Sequence, residues 1–150
     1  MNTEHIYEVE VSWVNNRLGL MNSPELDDDL RVATPPQFPK GVERIWSPEH
    51  LFTAAVNSCL MTTFLAIAEN SKLEFESFTS KALGKLEMVD NKYVMSEVTL
   101  MPQLTIIKEE DRERAFRVLQ KSEAACLISN SIKSEIKFMP EILVAAHIAA

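Results

Sequence analysis

The sequence predicts an α+β fold in which sheet is wrapped around two central helices, and three observations predict it. The stretch from Ser47 to Ala68 is apolar on nearly every side and helical in composition. A second stretch, 108–126, is amphipathic at helical spacing. The segments before, between and after them alternate polar with apolar residues, or are rich in strand formers bounded by turn residues.

The elements follow in order. Tyr7, Val9, Val11 and Trp13 alternate with Glu8, Glu10 and Ser12, which predicts a strand with one buried face. Asn15-Asn-Arg17-Leu-Gly19 supplies turn chemistry for a hairpin, because Asn and Gly tolerate positive φ. Asn22-Ser-Pro-Glu breaks the chain, Asp27 to Asp29 form a short solvated acidic run, and Leu30-Arg31-Val32 returns as a short strand. Three prolines between Thr34 and Gly41 remove donors and hold φ near extended values, giving a stiff loop into the long helix. Ser47 suits its N-cap, Pro48 its first position, and Glu49 the positive end of its dipole. With Leu51, Phe52, Ala55, Val56, Leu60, Phe64, Leu65 and Ile67 on all sides, the helix is expected to be buried and Cys59 with it. Thr53, Asn57, Ser58, Thr62 and Thr63 interrupt the run and no basic flank follows Ala68, so a membrane span is set aside.

Residues 75–88 and 93–104 form a long hairpin turning at Asp90-Asn91, and Pro102 marks its second strand as an edge or bulged strand. In the second helix Ala115, Phe116, Leu119 and Cys126 fall on one inward side, opposite a charged face. Ile132, Ile136 and Phe138 alternate with Lys133, Glu135 and Lys137 in a further strand. Pro140 interrupts it, and 141–149 reads equally as strand or short helix. No repeat or linker divides the chain, so its 150 residues are expected to form one domain.

Composition narrows the function. The 46% hydrophobic and 25% charged fractions are those of an ordinary globular protein. A net charge of -7 argues against nucleic acid or an anionic membrane as partner. No basic and apolar leader is visible at the start, so a cytoplasmic location is expected, where Cys59 and Cys126 are free or transiently paired thiols. His5, His50 and His147 are scattered and neither cysteine belongs to a C-x-x-C, so no metal site is expected. Ser47, Ser58 and Ser129 have no His/Asp context for a hydrolase triad. Taken alone, the thiols read as core packing, Arg17 as a turn residue and Glu49 as a helix-start carboxylate.

In combination these residues resemble the OsmC/Ohr family, the osmotically inducible protein C and organic hydroperoxide resistance proteins. Arg17-Leu-Gly19 is similar to the family's Arg-x-Gly turn, and Leu30-Arg-Val-Ala-Thr-Pro35 to its strand running into a Thr-Pro loop. Ser47-Pro-Glu49-His-Leu-Phe52, with Cys59 ten positions after Glu49, resembles its x-Pro-Glu-x-Leu segment and peroxidatic cysteine. Ala125-Cys126-Leu-Ile-Ser-Asn130 resembles its second-cysteine motif, with Leu127 where proline is usual; Asn57-Ser58-Cys59-Leu60 also departs from the usual small-residue-Cys-Phe.

The resemblance implies an OsmC-like fold with antiparallel sheets in an intertwined homodimer, and a thiol-dependent organic hydroperoxide reductase in oxidative stress defence. By that resemblance Cys59 is the nucleophile and Cys126 the resolving thiol. A dithiol, typically a lipoyl group on a protein, restores them without a bound cofactor. A thiol is mostly protonated at neutral pH, so the anion needs stabilising. Arg17, held by Glu49, is the natural candidate, with Arg31 and Arg44 as alternatives. Glu49 and Cys59 stand roughly 15 Å apart along a straight helix, so Arg17 and Glu49 are expected to serve the Cys59 of another subunit. Phe52, Met61, Phe64 and Phe116 are candidates for an apolar substrate entrance, or plain core. Two rival readings stand beside this one: a non-enzymatic OsmC-like dimer binding a small apolar ligand, and a hot-dog-type thioesterase.

Overall fold

The computed structural model describes residues 3–146. The chain forms two compact units, one up to Leu51 and one from Phe52 onward.

The first unit is built on an antiparallel sheet of three strands in sequence order, β1 (Glu10–Asn15), β2 (Leu18–Asn22) and β3 (Leu30–Ala33). Asn16 turns the first hairpin at a φ of 45°, as the Asn-rich turn predicts. The expectation of a half-buried first strand is corrected here: all six β1 residues are exposed, with Val11 at 63% and Trp13 at 77%. Within one chain the strand pairs through its backbone to β2, and both of its faces are left exposed among the described residues. After β3, the proline loop folds back on itself. The Val42 N–H donates to the Thr34 carbonyl at 2.8 Å, and a Cβ at Gly41 would stand 2.0 Å from the Pro35 carbonyl oxygen. Only glycine fits there.

Helix α1 (Pro48–Asn70) starts where the cap chemistry places it. Buried Ser47 accepts the His50 N–H on its Oγ at 3.1 Å, and a 2.6 Å hydrogen bond joins the same hydroxyl to His50 Nδ1. Helix α1 is long and apolar enough to cross a membrane by length and composition, and in the chain it buries one stripe in protein: Val56, Cys59, Leu60, Phe64 and Ala68. Its other side, including Ala55, Met61, Leu65 and Ala66, is exposed, so the expected all-round burial is not met within a single chain. A single sheet can cover only one side of a cylinder.

In the second unit β4 (Phe75–Val89) and β5 (Lys92–Ile106) form the long antiparallel hairpin, turning at Asp90 and Asn91 with φ of 48° and 66°. That pair is the signature of a two-residue turn matched to strand twist. A short 3₁₀ turn (Glu109–Asp111) leads into α2 (Arg112–Ala125), followed by α3 (Leu127–Asn130), β6 (Glu135–Phe138) and β7 (Glu141–Val144). Of the ambiguous last stretch, 141–144 is therefore strand, and 147–149 lies outside the described residues. Both β6 and β7 pair with β5 in parallel, because the chain crosses back over the sheet through α2.

Strand β5 is thus central, which corrects the edge reading of Pro102. The Leu100 and Ile106 carbonyls accept from Met139 and Ala145. Pro102, of the same parity, turns its nitrogen toward the break between β6 and β7, where no ladder bond is required. The core packs Phe64, Ala68, Leu104, Ile106, Ala115, Val118 and Leu119 in one cluster, and Val56, Leu60, Val98 and Leu100 in another. Phe64 stacks on Phe78 with centroids 4.7 Å apart and meets Phe75 edge-on at 5.1 Å. Burial of each such side chain stabilises by about 1.5–3 kcal/mol.

Candidate active site

Two elements of the second unit position the thiols. Cys59 lies on the buried stripe of α1 at 8% exposure. Cys126 is the residue at which α2 ends: its ψ of 112° leaves the helix, and its side chain is fully buried. Both are free. The Cys126 Sγ lies 4.0 Å from the Val56 carbonyl oxygen, one turn before Cys59, and the two thiols are neighbours that influence each other's ionisation.

Their surroundings differ in sign. Burial pushes the Cys59 thiol up, but the Ile128 backbone N–H, the Cys126 thiol, the Thr63 hydroxyl at 3.9 Å and the Leu127 N–H together bring it below its ordinary value. Cys126 is pushed up, first by burial and also by the neighbouring Cys59 charge. The Ser129 hydroxyl and N–H offset part of this, although that buried hydroxyl has no regular hydrogen-bond partner. The pair is therefore asymmetric: the surroundings hold Cys59 below the ordinary thiol value and Cys126 above it.

Arg17 and Glu49 are brought together in the first unit, where both line a cavity of about 640 Å³. Trp13, Phe38 and Pro48 supply apolar walls to it. Arg31 and Arg44 are absent from that lining: Arg31 is an exposed β3 residue, and Arg44 sits in the following loop at a φ of 66°. Of the four apolar candidates, Phe64 is a core plug and Phe52 packs half-buried against Val56 and Leu60's cluster. Met61 is exposed on α1. Phe116 is 42% exposed, so its inward placement is corrected. Ala115, Val118, Leu119 and Ser122 hold that face of α2, and Phe116 falls beside it.

Sequence reasoning missed Thr63 and the Leu127 and Ile128 amides as thiolate partners. Thr63 was findable, since it stands one helical turn after Cys59. Leu127 carried a signal too, because proline at that position would have no N–H to offer. Among the described residues no three His, Cys, Asp or Glu side chains are grouped to hold a metal.

A family model described as OsmC-like protein matches residues 41–141, and the chain belongs to that family. Its fold is the OsmC-like one. The chain superposes on an OsmC-like protein of unknown function from Vibrio cholerae with a TM-score of 0.82, at 23% identity over 91% of this chain and 99% of that one. An organic hydroperoxide resistance protein from Elizabethkingia anophelis matches with a TM-score of 0.76, at 19% identity over 97% of this chain and all (100%) of that one. The uncharacterized protein YmaD of Bacillus subtilis is 21% identical over 143 residues, 92% of this chain and 93% of its own length.

Proposed function

We propose that the protein is a cytoplasmic, thiol-dependent peroxidase that reduces organic hydroperoxides to alcohols as a single OsmC-like domain. The observation that carries this reading is the facing of Cys59 and Cys126, with the first below and the second above the ordinary thiol range. The Cys59 thiolate attacks the distal oxygen of R–O–O–H. The O–O bond breaks, the alkoxide leaves and takes a proton as the alcohol, and Cys59 becomes a sulfenic acid. The Cys126 sulfur then attacks the Cys59 sulfur, the S–O bond breaks, and hydroxide leaves with the Cys126 proton as water, forming a disulfide. An external dithiol, such as a lipoyl group on a protein, returns both thiols and is itself oxidised.

Arg17 and Glu49 complete this reading from a second subunit. They stand together on one cavity, and Glu49 is ten residues before Cys59 on the same helix, roughly 15 Å by helical rise. In a two-fold dimer the guanidinium of one protomer polarises the peroxide at the Cys59 of its partner.

Intact-mass measurement tests the chemistry. Reduced protein treated with stoichiometric cumene hydroperoxide loses two hydrogens, Cys126→Ser gains one oxygen at Cys59, and Cys59→Ser stays unchanged. Unaltered mass with every hydroperoxide tried overturns the proposal in favour of apolar ligand binding. Acyl-thioester turnover indifferent to Cys59→Ser overturns it in favour of a thioesterase.

A further inference from the structure

A hollow of about 530 Å³ on the second unit is separate from the cysteine pair and has no part in the chemistry above. Four residues of α2 (Arg112, Glu113, Phe116 and Arg117) line it together with Pro140 and Ile142. Phe116, with 42% of its surface exposed, supplies with Pro140 and Ile142 an apolar floor. Arg112 is already engaged: two of its N–H groups hold the Glu109 carboxylate at 2.7 and 2.9 Å, and a third donates to the Ile142 carbonyl at 3.0 Å. It therefore ties the two walls together rather than offering its charge. Arg117, one and a half turns later, has neither an ion pair nor a hydrogen bond among the described residues. In a chain of net charge -7, this leaves an exposed guanidinium beside an exposed ring open to an anion.

We propose that this hollow binds an amphipathic monocarboxylate, its carboxylate on Arg117 and its alkyl or aryl body on Phe116, Pro140 and Ile142. A guanidinium fork matches a carboxylate in two parallel hydrogen bonds. Glu113, four residues before Arg117 on the same lining, repels a second negative charge, which selects a monoanion over a phosphate dianion. The volume lies within the range of small-molecule pockets.

Calorimetric titration with octanoate tests the inference, with octanol as the uncharged counterpart. The wild-type chain binds one octanoate saturably and octanol at least about tenfold more weakly, a gap that narrows as salt rises. Arg117→Gln weakens octanoate binding by about tenfold and Phe116→Ser by a similar factor, while Lys121→Gln, which removes the same charge elsewhere on α2, changes it less than about twofold. Equal affinity in Arg117→Gln and wild type, equal affinity for octanol, or no saturable binding overturns it. None of these readouts depends on Cys59 or on peroxide turnover.

Discussion

At the scale of the residue, the difference between the two thiols arises from what each sulfur meets. Cys59 collects two backbone N–H groups, a threonine hydroxyl and a neighbouring thiol against its burial, whereas burial and that neighbour's charge act together on Cys126. The linkage has opposite signs. The stabilisation that Cys59 contributes by being held low is present above the ordinary thiol pKa and is lost as pH falls through its folded value. That of Cys126, held high, is present below the ordinary value and lost as pH rises through its own. Alkylation mapped by mass spectrometry is therefore expected to show Cys59 reacting with an inflection below the ordinary thiol value and Cys126 above it. Thr63→Val removes one of the partners and is expected to move the Cys59 inflection upward, slowing its modification at neutral pH by about threefold. Superimposable profiles for the variant and wild type would remove Thr63 from the site.

At the scale of the element, α1 organises the chain because its two ends have different tasks. Its first turn is fixed by Ser47, which accepts the His50 N–H and so satisfies one of the donors a helix start leaves open. Ser47→Ala is expected to destabilise the fold by about 1 kcal/mol, read as a lowered denaturant midpoint with an unchanged slope. A change in slope would instead report altered compactness. Further along, one stripe of α1 packs into the core and places Cys59 against the end of α2. The end of α2 is set by the extended ψ of Cys126, which turns the backbone so that Leu127 and Ile128 present their amides to the other sulfur. The periodicity of α2 was clear in the sequence, yet it put Phe116 on the wrong side of the boundary. Adjacent residues on a helix differ by about 100° in direction, so one apolar residue beside a buried stripe is as compatible with its edge as with its centre.

At the scale of the molecule, large apolar side chains stand uncovered in the single chain. Ile6, Tyr7, Val9 and Trp13 are each more than 75% exposed, at 79%, 81%, 77% and 77%, and Met61 and Leu65 lie open on α1 at 40% and 42%. Surfaces of this kind mark contact with another chain. They support the proposed dimer, whose active site would be shared between protomers. Leu65→Glu places a charge on the open side of α1 and is expected to shift sedimentation from dimer to monomer and to abolish peroxide reduction while both cysteines remain. A wild-type chain that sediments as monomer with full activity would overturn the shared site.

The sequence by itself determined the two long helices, the long hairpin between them, the turn residues, the helix cap and the residues that mark the family, because each is written in local spacing and composition. The family resemblance named Arg17 and left Arg31 and Arg44 open, and it is the structure that puts Arg17 on one cavity with Glu49. Only the tertiary structure decided that β5 is central despite Pro102, that β1 and half of α1 are uncovered in one chain, and that amides and Thr63 surround the Cys59 sulfur. Strand neighbours, burial and the environment of a sulfur depend on which distant segments meet, and no local pattern in a chain encodes that meeting.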